Sequence, residues 1–485
     1  MILFRRYRFV LPAFLYLAAF AGCTKVWDDH NQITDSNLKN NLYEAIKQNT
    51  SLGKFSDMLA KTGYDKIISS SKTYTVWAPT DQALQTLDPA ILNDTARLKL
   101  FVGNHIANQS YLEGGATGTL RVQVLNGKYI TITAASFDSA HIVAPNQYAN
   151  NGVFHTIDKF IPRYDNCWEF VKNTTAVPLM KSFLSSLDTL IRDPSKAVQI
   201  GVDPSTGQPV YQPGTGYVPH NKFLDSVVDV SDESGQYTLV LLTDNAYTTE
   251  SAKITPWFAT GTADSTNYLS RFHLVKDLAF KGMYTLAQLP DTLVSNYGVK
   301  TPMVKSAIVA TYKTSNGIVY IMNQVNFTKE NKFPSIYIQG ENPSRFQADR
   351  NNNTFYRVRY NPLTGKDFND ILMTDYNFAN YFIAYFRKGL NSMRYNAYWV
   401  AVNDVQPALY QQRFGYGVIR NDTAFVSNFA PQTVAWSNYN EVYLGQFSFS
   451  SYTNQYFFVT GPNVATSKGT TDVISLDYIR LEPAF

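Results

Sequence analysis

The stretch YTVWAPTDQA at 74–83 returns as YTLVLLTDNA at 237–246, keeping the Tyr-Thr opening, the Thr-Asp pair and the Ala. A chain that repeats itself is confined to folds built from repeated units. NGVFHTIDKF (151–160) returns as NGIVYIMNQV (316–325), and NHI (104–106) is echoed by FHL (272–274), so three matches fall in the same order at offsets of 163, 165 and 168. The beginnings align at a smaller offset of 125, AIKQNTSLGKFSDML (45–59) against FVKNTTAVPLMKSFL (170–184). There Leu52, Phe55, Met58 and Leu59 correspond to Val177, Met180, Phe183 and Leu184, apolar positions at helical spacing. The growth in offset assigns about 38 extra residues to the second copy, in a segment at about 187–230 rich in Pro, Gly and polar groups. Such a composition predicts a long surface loop.

In the first copy Ala78, Pro79, Thr80, Asp81 and Ala83 form a strand-to-turn signature, and Asn151, Gly152, Val153, His155, Ile157 and Asp158 form a closing strand, with Asn104 and His105 between them. These residues resemble the fasciclin domain. The resemblance covers 40–163, and a divergent second copy covers 166–328, where Leu241 and Leu242 replace Ala-Pro, Tyr320 replaces His and Asn323 replaces Asp. It implies α+β domains in tandem, each a twisted β-sheet wedge flanked by short helices. Thr80 and Asp81 are placed to cap the helix that follows them, with Pro79 fixing the chain just before. Asn-Gly supplies the positive φ of a tight turn. His155 and Asp158 stand three apart on a strand, which puts them on opposite faces: a buried, hydrogen-bonded histidine and a surface carboxylate.

Beyond Asn326 the period changes. FYRVRY (355–360) alternates Tyr356, Val358 and Tyr360 against Arg357 and Arg359, and YFIAYF, AYWVAV, VYLGQFSF, YFFVTG and VISLDYIRLEP follow at strand length between Asn, Gly, Ser and Pro clusters. This predicts an all-β domain over 330–485, a two-sheet jelly-roll sandwich. Its opening SIYIQGEN and closing ISLDYIRLEP resemble the first and last strands of galactose-binding-like jelly rolls, a fold common among carbohydrate-binding modules. That resemblance implies aromatic side chains on which sugar rings stack, with Trp436, Tyr439 and Trp399 as the candidates. It also implies a structural calcium between an early Glu and a late Asp, whose nearest counterparts are Glu341 and Asp477, although the usual pair of early acidic residues is missing. DRNNN (349–353) is a turn rather than a calcium loop, since Thr354 and Tyr360 stand where an EF-hand needs Gly and Glu.

The amino terminus adds a location. Arg5, Arg6 and Arg8 precede an apolar run from Phe9 to Ala21 of signal-peptide length, and Ala21-Gly22 stand just before Cys23. This resembles a bacterial lipobox, with Phe20 where Leu is commoner, and implies a signal peptide at 1–22 and acyl chains on Cys23. Each buried methylene adds about 0.8 kcal/mol, so several chains hold a protein on a membrane. With Cys23 acylated, Cys167 has no partner for a disulfide. Residues 23–39 read as a polar tether, and Asp28 and Asp29 resemble the acidic export signal of Bacteroidetes surface lipoproteins, placing the protein on the outer membrane, facing outward. Asp-Ser/Thr-apolar triplets at Asp94, Asp138, Asp188, Asp225, Asp291 and Asp422 resemble O-glycosylation acceptors of those bacteria.

A net charge of +4 with no cluster in the mature part argues against nucleic acid as a partner. Hydrolase, Walker and Rossmann signatures are absent, and six scattered His give no metal-ligand spacing. The expectation is a non-catalytic surface lipoprotein without a cofactor beyond its lipid and the candidate calcium. Its role is that of an accessory ligand-binding or docking subunit of a SusC/SusD-like TonB-dependent uptake complex for glycan or peptide. The alternative is fasciclin-type adhesion to cells or matrix.

Overall fold

Every residue of Tyr74–Pro79 is buried, which explains why YTVWAP shows no alternation: a strand covered on both faces reads as a continuous run. The computed structural model describes residues 36–112, 118–348, 351–376, 379–461 and 472–485, so Cys23, Asp28, Asp29 and the tether up to 35 lie outside the described residues. Two compact units divide the chain, one ending at Asn166 and one starting at Cys167. No helix among the described residues is long and apolar enough to cross a membrane.

In the first unit Tyr74–Pro79 runs parallel to Gly152–Ile157, from Tyr74 opposite Gly152 to Pro79 opposite Ile157, as the second and third strands of a sheet that has seven among the described residues. One core, with Leu42, Phe55, Leu59, Phe101 and Phe154, lies under the helices. A second, around Trp77, Phe137 and Ile157, fills the strand-rich side. In the second unit Tyr237–Leu242, again buried throughout, runs parallel to Gly317–Met322 with Tyr237 opposite Gly317, inside a four-stranded sheet. Both repeats therefore share the rarer parallel pairing of two strands distant in sequence.

The same side chain fixes that pair each time. Asn151 accepts from the Leu42 backbone N–H through Oδ1 (2.9 Å) and donates through Nδ2 to the carbonyls of Ile68 and Ser70 (2.7 and 2.6 Å). Asn316 accepts from Cys167 N–H (2.9 Å) and donates to Val230 and Asp232 (3.0 and 2.9 Å). The following glycine answers in both copies to close approach, and only Gly152 has the expected positive φ, 156°. A Cβ on Gly152 would lie 2.2 Å from the Tyr74 carbonyl oxygen and one on Gly317 2.1 Å from that of Tyr237.

The Thr-Asp pair meets the sequence expectation in half. Thr80 Oγ1 accepts from the N–H of Ala83 (3.1 Å), the first residue of the short 3-10 helix Ala83–Thr86 that follows. Asp81 instead caps an earlier helix, Gly53–Thr62, accepting from Lys54 N–H (2.8 Å), and Asp244 does the same for Leu179 N–H (3.0 Å) in Pro178–Ser185. Tyr320, standing for His155, keeps that residue's bond: His155 Nε2 meets the Tyr111 carbonyl at 2.8 Å and Tyr320 Oη donates to the Tyr284 carbonyl at 2.8 Å.

One sequence match is corrected. The backbone N–H of Trp77 meets the His105 carbonyl and that of Val240 meets the Leu278 carbonyl, so Asn104-His105 corresponds to Asp277-Leu278, not to Phe272-His273. His105 is buried, with Nδ1 on the Phe101 carbonyl (3.0 Å) and Nε2 accepting from Ile161 N–H (3.1 Å). Burial lowers its pKa to about 4 against the opposing pull of the Phe101 carbonyl, so the ring is neutral. Asp277 is buried too and binds Lys332 Nζ at 2.6 Å and Lys276 Nζ at 2.9 Å. The divergent repeat has exchanged a neutral polar site for an ion cluster.

The insertion is ordered rather than irregular. Asp188–Arg192 pairs with Tyr217–Asn221, and Gln199–Val202 with Pro209–Tyr211, forming a long two-stranded arm. Leu190, Ile191, Val198, Ile200, Val202, Val210 and Tyr217 are all exposed along it.

Among the described residues the all-β region holds sheets of four, six and three strands. Ile336–Gln339 pairs with Tyr478–Ala484, joining the first and last strands of the region. VISLDYIRLEP is two strands, broken at Asp477: Val473–Leu476 joins Lys366–Thr374, while Tyr478–Ala484 joins Arg394–Val400. Asn351–Asn353 form a short turn, as expected of DRNNN, whose first two residues lie outside the described set. One continuous core runs from Cys167 and Trp168 through Tyr320 to Trp399 and Leu481. Hydrogen bonds close the junction: Ser392 Oγ donates to the Pro256 carbonyl (2.8 Å), and the Trp257 carbonyl accepts from Asn391 Nδ2 (3.1 Å).

Replacing Asn316 by Ala removes three bonds and leaves buried partners unpaired, so it should cost about 2–4 kcal/mol. Thermal denaturation should show a fall of several degrees, with Asn151→Ala behaving alike.

Candidate ligand-binding site

The aromatic candidates separate by burial. Trp399 is inward on Arg394–Val400, with Tyr395 and Ala397, and only 1 % exposed, so its ring packs the core and is not a sugar platform. Trp436 is 48 % exposed, in a segment whose backbone bridges Asn403. Tyr439 is half-buried, edge-on to Phe368 (6.1 Å between centroids) and under the Arg359 guanidinium (5.9 Å).

Arg359 links these aromatics to a charge cluster. On Thr354–Asn361 the arginines face inward: Arg357 and Arg359 both bind the buried Asp370 and the partly buried Asp404. Tyr356, Val358 and Tyr360 face solvent. Bidentate Arg–carboxylate geometry of this kind outweighs the apolar preference of the other face.

Glu341 and Asp477 adjoin the same cluster. Gly340 N–H donates to the Asp477 carbonyl (2.6 Å), and the Asp477 carboxyl is pushed up to about 7, first by burial and then by the charges of Asp370 and Glu341, with Arg359 opposing. Glu341 Oε2 is buried with no hydrogen-bond partner among the described residues. The two acids lie close enough for Glu341 to act on Asp477, yet Asp370 is committed to two arginines. Calcium takes six to eight oxygens, and among the described residues no group of three or more His, Cys, Asp or Glu is placed to hold a metal. The set does not fit a calcium cage.

A larger surface escaped the sequence reading. On the sheet ordered Ile336–Gln339, Tyr478–Ala484, Arg394–Val400, Val442–Ser448, one cross-strand row reads Tyr337, Arg480, Tyr398, Tyr443. Tyr337 and Tyr443 are each 52 % exposed, and Ile338, Ile479, Trp399 and Leu444 of the same strands are buried beneath. Arg480 lies 4.2 Å above the Tyr398 ring and is forked to Glu441 (2.7 Å) and Glu482 (2.9 Å). Those bonds hold both glutamates below the usual carboxylate range. Tyr478 stands beside Tyr337 (5.4 Å), and Gln446 donates to Asn396 (3.0 Å) in the next row. Four strands span about 14 Å, the length of a short oligosaccharide. Rings offer π faces to sugar C–H groups, while the fixed guanidinium, carboxylates and amides offer partners to hydroxyls. The signal was the alternation Tyr-Ile-Arg-Leu-Glu at 478–482.

The wedge of sheet and short helices in the first unit is a fasciclin domain: that family matches residues 50–162. An all-β region with many strands follows it in the second unit. A pair of fasciclin domains from the insect cell adhesion molecule fasciclin I is 12% identical, spanning 58% of this chain and 99% of its own, with a TM-score of 0.23. A family 35 carbohydrate-binding module from Clostridium thermocellum is 14% identical over 31% of this chain and all 100% of its own, at 0.21. A xylan-binding domain from Paenibacillus barcinonensis is 9% identical over 31% and 99%, at 0.23. Likenesses this faint leave the chemistry to the residues themselves. The comparison with curated proteins returned no match.

The Asp477 carboxyl titrates higher in the fold than in the unfolded chain, so its contribution is present below about pH 4 and is lost as pH rises through about 7. Asp477→Asn should match the parent protein in melting temperature near pH 4 and exceed it at pH 8. Added calcium should leave both curves in place.

Proposed function

We propose that the chain is a non-catalytic, lipid-anchored surface protein that serves as an accessory subunit of a SusC/SusD-like nutrient uptake complex, with the second repeat a divergent fasciclin domain. Cys23 carries the anchor and residues up to 39 the tether, on the outer face of the outer membrane. The observation that carries the reading is the arm at 188–221, whose seven apolar side chains stand in solvent. Monomeric proteins rarely expose contiguous apolar surface without a partner to cover it. The tyrosine row on the sandwich supports capture of glycan near that partner. Its one arginine is balanced by two glutamates, which favours a neutral chain over an acidic one.

Adhesion is the second reading, favoured by the fasciclin domain at 50–162. A strain carrying the chain with the arm replaced by a short turn separates the two. Under the uptake reading the transporter no longer co-purifies and growth on one polymer falls, while attachment is unchanged. Loss of attachment with intact growth would favour adhesion. Mass spectrometry of the mature amino terminus should find Cys23 acylated. Tyr337→Ala and Tyr443→Ala, at exposed positions, should each weaken retention on a neutral polysaccharide gel by roughly tenfold, the factor 1.4 kcal/mol supplies, without altering the melting temperature.

A further inference from the structure

A cavity of about 250 Å³ lies where the second repeat meets the sandwich, lined from the repeat by Lys276 and Asp277, from the segment between them by Lys332 and Phe333, and from the sandwich by Arg387 and Tyr395. Its lining carries three cations and a single carboxylate, since the ring of His273 is neutral. Lys276 and Lys332 are both buried. Burial lowers the Lys332 ammonium to about 8 against the pull of Asp277, which leaves it protonated at neutral pH. Arg387 is exposed and makes no ion pair among the described residues.

Asp277 does not balance the set. Its Oδ1 accepts from Lys276 Nζ and Ser295 Oγ (both 2.9 Å), and its Oδ2 from Lys332 Nζ (2.6 Å). Donors are in excess, because each ammonium has three. Lys332 uses one on Asp277 and one on the His273 carbonyl (2.6 Å), and Lys276 uses one on Asp277. Three N–H groups on two buried ammoniums therefore have no hydrogen-bond acceptor among the described residues. Each ammonium also lies near a ring, Lys276 at 4.1 Å from Tyr297 and Lys332 at 4.6 Å from Phe327, a contact that leaves the charge in place. A buried charge is costly unless it is paired and hydrogen-bonded. The first repeat has no such need, since Gly103 and Asn104 stand where the second has Lys276 and Asp277. The missing partner must be negative and must offer oxygens on several sides. At roughly 30 Å³ per water the cavity has room for about eight, enough for a tetrahedral oxyanion with part of its hydration shell. From this we infer that the cavity binds one phosphate or sulfate group, held by Lys276, Lys332 and Arg387, which braces the second repeat against the sandwich.

Isothermal titration calorimetry of the full chain in detergent with sodium phosphate, at an ionic strength held constant with sodium chloride, should show one saturable site. At about a hundredfold excess over half-saturation the anion should raise the melting temperature by several degrees. Arg387→Gln, at an exposed position, should weaken binding by roughly tenfold with an unchanged circular dichroism spectrum, and Lys276→Met should weaken it further. Lys388→Gln, its neighbour outside the cavity, should bind as the parent does. Sulfate and glycerol phosphate, titrated beside inorganic phosphate, identify the source of the group. Glycerol phosphate binding no tighter than the inorganic ions assigns a free ion, and tighter binding assigns a group carried on a larger molecule. No saturable site for any of the three overturns the inference. So does binding that Arg387→Gln leaves unchanged, or a rise in melting temperature shared by every variant, because excluded anions stabilise any folded surface.

Discussion

A single carboxamide holds each repeat together. Asn151 and Asn316 sit where the closing strand of the sheet begins, and each makes three hydrogen bonds to two distant backbone segments: one to a helix near the start of its repeat and two to carbonyls just ahead of the strand that the closing strand pairs with. A parallel pair cannot be closed by a hairpin, so its register must be set by something other than a turn. The amide supplies that setting with both acceptor and donors used. The glycine after it removes the Cβ that would strike the facing carbonyl. Pairing of Tyr with Gly at the head of the register, and hence the burial of every following residue, depends on these two positions.

Much of this was legible because a duplication exposes what a single copy hides. The offsets separating Asp81 from Asp244 and Lys54 from Leu179 are those by which the sequence aligns, so the cap they form could be matched, though not recognised as a cap in space. Local reasoning put Asp81 on the helix after it, because an N-cap is normally read from the residue just before a helix. The helix it serves begins 28 residues earlier, and no local pattern reports that. The match of Asn104-His105 to Phe272-His273 failed for a related reason. A shared histidine was the visible signal, whereas the shared backbone contact belongs to Asp277-Leu278, where neither side chain is kept.

In the sandwich the sequence showed two faces per strand without saying which was inner. Trp399 and Tyr398 are neighbours of opposite parity, and the larger, more apolar ring took the core, leaving the phenol outward beside Arg480. FYRVRY went against the usual preference, since its arginines are inside. Two carboxylates from other segments, Asp370 and Asp404, made the inner side the favourable one for charge. Hydrophobic patterning ranks faces by apolar area, and a bidentate pair formed by distant residues can reverse that ranking. Glu341 and Asp477 show the cost of gathering acids in one cluster: one buried oxygen of Glu341 has no hydrogen-bond partner among the described residues, and burial together with the nearby carboxylates pushes the Asp477 carboxyl up.

Because the second repeat and the sandwich share one core, the divergence of that repeat has a structural meaning. A free-standing fasciclin copy needs only its own sheet and helices, but here Pro256, Trp257 and Ala259 present backbone groups to the loop at 391–392 and to Tyr452. His273 lies in the same contact, 3.3 Å from the Tyr452 hydroxyl, and burial lowers its pKa to about 3, aided by the nearby lysines, so it adds no charge there. Lys332, just before the first sandwich strand, reaches back to Asp277 and the His273 carbonyl. A buried ion pair gains its specificity from having one acceptable geometry, and this one ties the entry to the sandwich to the sheet of the repeat. Asp277 and Lys332 thus join the sheet of the second repeat to the start of the sandwich. The tyrosine row and the exposed arm thus belong to the same compact unit, the one that starts at Cys167.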